Sequence, residues 1–224
     1  MTGLWKRAVT VYNRKKVCKI IRAHGCCQAE GDGDHGKGKS ADRRSRPVRV
    51  EAGHMGKVFF IADTHFGHAE IIGYENRPFA DVGEMDEAII RNWNETVTEA
   101  DTVFVVGDFS VYAKKKTAEI LGRLKGHKRL VMGNHDTESE QFYMDCGFEG
   151  VSRYPVIYDG FWILSHEPMY INSNMPYANI FGHVHANPIY SDYSAQSFCV
   201  CCERIGYTPI AFEEIKDKIR EKMR

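Results

Sequence analysis

Short apolar runs that each end in Asp, Asn or His constrain the fold of this chain more than any other feature of its 224 residues. The first three are "KVFFIAD", "DTVFVVGD" and "KRLVMGN", at residues 57–63, 101–108 and 128–134. Each run contains a short, continuous apolar stretch, which is typical of a strand buried on both faces. Helical patterns at 86–100 and 114–124 separate the runs. Buried strands that alternate with helices predict an α/β fold built in layers.

The second half of the chain is predicted to contain more hairpins and fewer helices. A helix is expected at 138–146, and "PVIYDGFWILSH" at 155–166 indicates a hairpin that turns at Asp159 and Gly160. Two further strands and a closing amphipathic helix are predicted at 178–185, 197–205 and 212–224.

Polar side chains of the kinds that bind metal ions follow five of the predicted strands. They are Asp63, His65, Asp108, Asn134, His135, His166, His183 and His185. In open α/β sheets, ligands bind at the carboxyl ends of the strands, so these side chains are expected to converge on one edge. Each motif alone also fits a turn or a helix cap, but the joint occurrence of all of them favours a shared site. His183 and His185 are expected on one face of a strand, because alternate strand residues share a face.

The chemistry of this set predicts a site for two metal ions. Imidazoles, carboxylates and one amide oxygen suit zinc, manganese or iron, and no thiolate is among them. A carboxylate such as Asp108 can bridge two cations, and a water held between two cations is acidified into a hydroxide nucleophile. Two cations can also stabilise both the attacking and the leaving oxygen of a phosphoryl transfer. The predicted reaction is therefore the hydrolysis of a phosphoester.

The ordered set D-x-H, G-D, G-N-H-D, H and G-H-x-H resembles the calcineurin-like metallophosphoesterase superfamily. The segments "FIADTHFGHAEII", "NRPF", "MDEAIIRNWN" and "DTVFVVGDF" are similar to its small bacterial and phage-type members. The resemblance runs from about Met55 to Ile215. It implies a two-sheet β-sandwich flanked by helices, with α/β/β/α layers, and a phosphoric ester hydrolase.

The resemblance also implies a role for each matching residue. Asp63, His65 and His185 would hold the first metal ion, and Asp108 would bridge to the second. Asn134, His166 and His183 would complete the second metal site. The implied cofactor is a pair of divalent cations, with Mn²⁺ expected and Fe, Zn²⁺, Ni²⁺ or Mg²⁺ as alternatives.

Four more residues receive roles near the substrate. His135 resembles the family histidine that contacts the phosphate and protonates the leaving oxygen, and Asp136 is expected to orient it. His68 is expected to face the phosphate from the first loop, with local packing at a helix start as the alternative. Arg77 is expected to pair with a phosphate through two hydrogen bonds, with ordinary loop packing as the alternative.

The predicted substrate is a phosphomonoester or a phosphodiester, which includes nucleotides and nucleic-acid ends. A nuclease is the alternative enzyme. A metal-free scaffold of the same fold is the alternative outside enzymes, and the complete ligand set argues against it. The run "CVCC" at Cys199 to Cys202 is predicted to be buried thiols, because two aligned cysteines without a second pair do not complete a zinc site.

Charge divides the chain into two regions. Residues 1–54 carry 13 Lys or Arg and 5 Asp or Glu, whereas residues 55–224 carry 17 and 25. The first region is predicted to be a disordered basic extension, because it is rich in glycine and charge and has no apolar period. It is interpreted either as a segment outside the native protein, such as a mis-assigned start with the cloning-like "GHM", or as an arm that binds nucleic acid. Residues 55–224 are predicted to form the metallophosphoesterase domain.

The chain is expected to act in the cytoplasm without a membrane partner. No apolar run approaches the roughly 20 residues that a membrane helix needs, and the first residues lack the apolar core of a secretion signal. Its seven cysteines are an odd number without a disulfide pattern, which favours reduced thiols.

Overall fold

The structure is a computed structural model that describes residues 56–172, 174–188 and 194–223. The predicted extension at 1–54 lies outside these residues. Within the described part, none of the helices is long and apolar enough to cross a membrane.

The described strands form two sheets. The first sheet has the order β4-β3-β2-β1-β9 and the second has the order β5-β6-β7-β8. The strands are β1 Val58–Ile61, β2 Thr102–Val105, β3 His127–Val131, β4 Gly150–Ser152, β5 Val156–Tyr158, β6 Trp162–Ser165, β7 Ala178–Phe181, β8 Ser197–Cys199 and β9 Ile210–Ala211. The helices are α1 Ala69–Tyr74, α2 Val82–Thr96, α3 Lys114–Arg123, α4 Glu140–Cys146 and α5 Phe212–Lys222, with a 3-10 helix at Cys202–Arg204.

Parallel pairing places the carboxyl ends of the central strands together. In the first sheet, β1 to β4 are parallel and β9 is antiparallel to β1. In the second sheet, β6, β7 and β8 are parallel, and β5 joins β6 as the predicted hairpin. Asp159 and Gly160 have φ angles of 50° and 66°, which are the values expected in a tight hairpin turn of this kind.

Alternation along the strands of the first sheet produces two apolar layers. Phe59 and Ile61 pack on one face against α2, α3 and α4, whereas Phe60 and Ala62 pack on the other face against the second sheet. Helix α5 contributes to the layer between the sheets, since the ring of Phe212 lies 5.6 Å from Phe60 and 5.0 Å from Trp162, measured between centroids. The predicted fold of two sheets flanked by helices is confirmed.

Helix α2 begins where the chain supplies the capping groups. The side chain of Asp81 accepts a hydrogen bond from Glu84 N at 2.8 Å, and Glu84 Oε2 accepts one from Ala80 N at 2.6 Å. These bonds satisfy backbone donors that a helix start leaves unpaired. The helix then buries Met85, Ile89 and Trp93 against the first sheet.

Two predicted strands are shorter in the structure than in the sequence prediction. The strand expected at 178–185 ends at Phe181, and the one expected at 197–205 ends at Cys199. In both cases the chain leaves the sheet to form the loop or 3-10 turn that carries residues of the candidate site. An apolar pattern alone does not mark this point, because Val184, Cys201 and Cys202 stay buried after the strands end.

Candidate metal centre

The candidate site lies where strand ends from both sheets meet. Loops after β1, β2 and β3 carry the ligand candidates of the first sheet, and loops after β6 and β7 carry those of the second. The two sheets are joined here, because the carboxylate of Asp63 accepts a hydrogen bond from His183 N at 2.9 Å. The described structure therefore brings the candidate ligands together at one edge, as the sequence predicted.

These loops have an unusual backbone. Five of the candidate ligands have a positive φ: Asp63 58°, His65 50°, Asp108 54°, His183 70° and His185 46°. A positive φ is uncommon for residues other than glycine, and such residues concentrate at functional sites. Hydrogen bonds between the first two loops support this backbone, since His65 N donates to Asp108 O at 3.0 Å and Asp63 N donates to Gly107 O at 3.0 Å.

Two glycines provide space for the ligand side chains. A Cβ atom on Gly107 would lie 2.0 Å from His166 Nδ1, and one on Gly133 would lie 2.2 Å from Asp108 Oδ1. Gly107 also has a φ of 94°, which favours glycine. The glycines of the G-D and G-N-H-D motifs are therefore required by close contacts across the site.

The first group of candidate ligands contains Asp63, His65 and His185. One donor atom from each lies within 4.8 Å of the others. His185 Nε2 is 3.7 Å from Asp63 Oδ1. Asp63 and His65 are fully buried, whereas the side chain of His185 is 13% exposed. The group corresponds to the first metal site implied by the sequence.

Asp108 lies between this group and a second one. Its Oδ2 atom is 3.5 Å from His65 Nε2 and 3.3 Å from His166 Nε2. Asp63, Asp108 and His166 also have donor atoms within 4.8 Å of one another. One carboxylate oxygen therefore faces imidazoles of both groups, which is the position that a bridging ligand needs.

Asn134 and His183 complete the second group. Asn134 Oδ1 lies 2.9 Å from His166 Nε2 and 3.0 Å from His183 Nδ1, and these two nitrogens are 3.2 Å apart. His166 Nδ1 donates to the backbone carbonyl of Val106 at 3.0 Å. Since a carbonyl cannot donate, this bond fixes the hydrogen on Nδ1 and directs Nε2 toward the site.

The donor set fits divalent metal ions. His65 Nε2 is buried and has no hydrogen-bond partner in the described part of the chain. Buried polar atoms normally have a partner, so this nitrogen needs a separate explanation. Its 3.5 Å separation from a carboxylate oxygen suits two atoms that point toward a common ion. Carboxylate, amide and imidazole donors suit manganese, iron or zinc.

Burial and neighbouring charges shift the pKa values of the candidate ligands in different directions. Burial lowers the pKa of His65 to about 3, so its imidazole is neutral at physiological pH. Burial would raise the pKa of Asp108, but the hydrogen bond and charge of His166, the hydrogen bond from His135 N and the charge of His65 together outweigh it and lower the pKa to about 2. Burial would also lower the pKa of His166, whereas Asp108 and Asp63 raise it to about 9. A cation that binds here must therefore displace a proton from His166.

His135 and His68 lie at the open side of the site. The ring of His135 lies 5.0 Å from the ring of His65 and 5.7 Å from that of His68, measured between centroids. His135 is exposed, and its backbone N–H donates to Asp108 Oδ1 at 2.8 Å. Three imidazoles therefore surround the space next to the first group of ligands.

The structure corrects the expected role of Asp136. Its carboxylate is buried and accepts backbone hydrogen bonds from Asp108 N at 2.8 Å, Gly133 N at 2.9 Å and Phe109 N at 3.1 Å. These donors belong to the loops that carry the bridging Asp108 and the G-N-H-D motif. Asp136 therefore fixes the backbone of two ligand loops and does not orient the ring of His135.

The structure also corrects the expected role of Arg77. The guanidinium is fully buried and donates to Asp63 O at 2.7 Å and Thr64 O at 3.1 Å. It also pairs with Glu203 Oε1, which lies 2.7 Å from Arg77 Nη2. These partners surround the guanidinium, so it supports the first ligand loop from behind and does not face the substrate.

Two features of the site were not predicted from the sequence. His183 and His185 follow β7 in a loop and do not share one strand face, although they lie in the two different groups that the family resemblance implied. Glu203 was placed in a strand without a role, but its Oε1 atom is 3.0 Å from His185 Nδ1. A single glutamate after three cysteines carries no motif, so this contact is visible only in the structure.

Comparison with known proteins agrees with this geometry. The calcineurin-like phosphoesterase family matches residues 56–201. An uncharacterized protein of Methanocaldococcus jannaschii is 36% identical over 169 residues, which cover 72% of this chain and 90% of that protein. The gene 66 protein of Mycobacterium phage L5 is 35% identical over 85 residues, which cover 37% of this chain and 41% of that protein.

A solved structure is also similar to this chain. It is a protein of unknown function from Aquifex aeolicus, with a TM-score of 0.59 and 26% identity. The match covers 72% of this chain and 98% of the Aquifex protein. Because the family match covers most of the chain and the archaeal relative is similar over nearly its whole length, the chain belongs to the calcineurin-like phosphoesterase family.

Proposed function

We propose that this protein is a binuclear metal-dependent phosphoesterase that hydrolyses phosphodiesters or phosphomonoesters. The observation that carries the proposal is the position of Asp108. One of its carboxylate oxygens faces His65 of the first group and His166 of the second at 3.5 and 3.3 Å. Two adjacent cations need two groups of ligands that share one carboxylate, and Asp108 is placed to be that shared ligand.

The residues of the two groups would hold the metal ions. Asp63, His65 and His185 would hold one ion and Asn134, His166 and His183 the other, with Asp108 shared between them. When bound, a pair of divalent cations supplies Lewis-acid activation of water and of the phosphoryl oxygens. We propose Mn²⁺ as the physiological ion, because the set mixes carboxylate, amide and imidazole donors.

The protein itself contributes the contacts around the substrate. Asn134, His135 and His183 are exposed, so the site is open on that side. In the proposed reaction, His135 contacts the phosphate and gives a proton to the leaving oxygen. His68 is proposed to contact the same phosphate, since its ring stands beside those of His65 and His135. An open site favours a phosphodiester over a small buried metabolite.

The cellular setting is proposed to be the cytoplasm. Cys146, Cys199, Cys201 and Cys202 are the cysteines that the structure describes, and all four are free thiols. Free thiols at this frequency are typical of a reducing compartment.

A metal analysis combined with two model substrates tests the proposal. The full chain is loaded with Mn²⁺, freed of excess metal, and assayed for bound manganese and for hydrolysis of bis(p-nitrophenyl) phosphate and p-nitrophenyl phosphate. We expect about two manganese ions per chain and faster hydrolysis of the diester. Substoichiometric manganese together with no hydrolysis of either substrate would refute the proposal. Single-stranded DNA with a labelled end, assayed in parallel, distinguishes a nuclease from a phosphodiesterase of small molecules.

A further inference from the structure

Glu203 is a buried carboxylate at the edge of the metal centre. It lies in the 3-10 helix Cys202–Arg204 that follows β8, and its side chain is 5% exposed. Leaving a charged group buried is costly unless it is paired or hydrogen-bonded. The contacts of Glu203 therefore identify the groups that balance its charge.

The first contact of Glu203 is with a candidate metal ligand. Its Oε1 atom lies 3.0 Å from His185 Nδ1, while the other ring nitrogen, Nε2, lies 3.7 Å from Asp63 Oδ1. A carboxylate on Nδ1 holds the hydrogen there and leaves the lone pair on Nε2. Metal-binding histidines commonly have such a partner, which fixes both the tautomer and the orientation of the ring.

The second contact of Glu203 is with Arg77. The same Oε1 atom accepts a hydrogen bond from Arg77 Nε at 2.9 Å, and it lies 2.7 Å from Arg77 Nη2. Arg77 in turn donates to the carbonyls of Asp63 and Thr64, in the loop that carries two ligands of the first group. A continuous chain of contacts therefore links His185 to this loop through Glu203 and Arg77.

The loop in question needs such support from outside. Asp63 and His65 have φ angles of 58° and 50°, which cost conformational energy in residues other than glycine. Arg77 donates to the backbone carbonyls of Asp63 and Thr64 in this loop. Glu203 balances the buried charge of Arg77, so the two side chains act together.

We propose that Glu203 is the positioning residue of the first metal site, acting on His185 directly and on the Asp63 loop through Arg77. Its role is to raise the affinity for the cation by fixing the tautomer and direction of His185. The inference rests on the metal site of the proposed phosphoesterase and is independent of the substrate.

Metal affinity and stability of variants of the full chain test the proposal together. Glu203→Ala removes the carboxylate, and Glu203→Gln keeps an acceptor oxygen of the same size without the charge. Glu87→Gln is the matched control, because Glu87 also pairs with an arginine, Arg123, at 2.6 Å, but lies in helix α2 with its side chain 59% exposed. Mn²⁺ binding is measured by calorimetry, and thermal unfolding is measured in EDTA.

We expect Glu203→Ala to weaken one of two Mn²⁺ sites by about 10- to 100-fold, and Glu203→Gln by about 3- to 10-fold. Glu87→Gln is expected to bind both ions as the wild type does. Glu203→Gln carries the test if Glu203→Ala fails to fold with Arg77 unpaired. In the metal-free protein, at a pH where the ring is neutral, nitrogen-15 spectra are expected to show the His185 hydrogen on Nδ1. The Glu203→Gln variant, whose amide can either accept from Nδ1 or donate to it, is expected to show a mixture of tautomers.

Two results would overturn the proposal, and they can be told apart. If Glu203→Gln lowers the melting temperature but binds both ions with wild-type affinity and keeps the His185 tautomer, Glu203 is structural only. This result leaves the phosphoesterase proposal intact. If the wild-type chain itself binds no Mn²⁺ or Zn²⁺, the metal centre and the positioning role fail together.

Discussion

Replacement of Gly107 by alanine is expected to damage both the fold and the metal centre. Gly107 stands between β2 and Asp108, the proposed bridging ligand, and its φ is 94°. The added Cβ atom would lie 2.0 Å from His166 Nδ1 and 2.6 Å from His166 Cγ. Since these atoms belong to a ring that is hydrogen-bonded to Val106 O, the ring cannot move away without losing that bond.

The magnitude follows from two separate costs. A residue other than glycine with a positive φ loses about 1–2 kcal/mol, and forcing an extra methyl group into a packed site costs about 1–3 kcal/mol. The free energy of unfolding is therefore expected to fall by about 2–5 kcal/mol. For a domain of this size, the corresponding drop in melting temperature is about 4–20 °C.

Urea unfolding and Mn²⁺ binding of the Gly107→Ala variant measure the two effects. Gly122→Ala is the matched control, because Gly122 lies in helix α3 and a Cβ atom there meets nothing within 4 Å. The control is expected to gain up to about 1 kcal/mol of stability, as alanine is the better helix former. If Gly107→Ala has the urea midpoint of unfolding and the Mn²⁺ affinity of the wild type, then Gly107 is not required at this position.

Three further substitutions follow from the same geometry. Asp108→Asn is expected to abolish both manganese occupancy and hydrolysis, because the Asp108 carboxylate lies next to both ligand groups. A metal analysis that finds both ions still bound would contradict this prediction. His135→Ala is expected to keep the ions and to lower turnover by about two to four orders of magnitude, with the equally surface-located His127→Ala as a control that keeps full activity. Asp101→Asn is expected to lose about 1–3 kcal/mol at pH 7, because the carboxylate accepts hydrogen bonds from Lys57 N, Thr98 N and Thr98 Oγ1. Burial would raise the pKa of Asp101, but these bonds outweigh it and lower the pKa below its usual 3.8. The stabilisation by Asp101 is thus present above about pH 4 and is lost as the pH falls through the lowered pKa. The free energies of unfolding of variant and wild type, measured as a function of pH, should therefore converge below that pKa.

The order of strands and helices was predictable because burial leaves a periodic signal. Continuous apolar runs marked β1, β2 and β3, and the turn at Asp159 and Gly160 marked the hairpin of β5 and β6. The ends of β7 and β8 were not predictable, because the residues that follow these strands remain buried in the loop and the 3-10 turn next to the candidate site. Apolar character reports burial, and it does not report whether a buried residue lies in a strand or in a loop.

The candidate ligands were likewise predictable from the chain, because each follows a strand whose carboxyl end reaches the same edge. The roles of Asp136 and Arg77 were not. Both side chains belong to the motifs that carry the resemblance, but both are buried and form hydrogen bonds with backbone atoms of the ligand loops. A motif identifies which residues are near the site, whereas the direction of each side chain depends on the loop conformation.

The sequence by itself determined the fold class, the family resemblance and the set of candidate metal ligands. The tertiary structure decided how that set divides into two groups around Asp108, and which residues support them from behind. Glu203 is the clearest case, because it lies 18 positions from His185 and 126 from Arg77, and it contacts both through one oxygen atom. Such contacts join segments that are distant along the chain, and local sequence patterns carry no record of them.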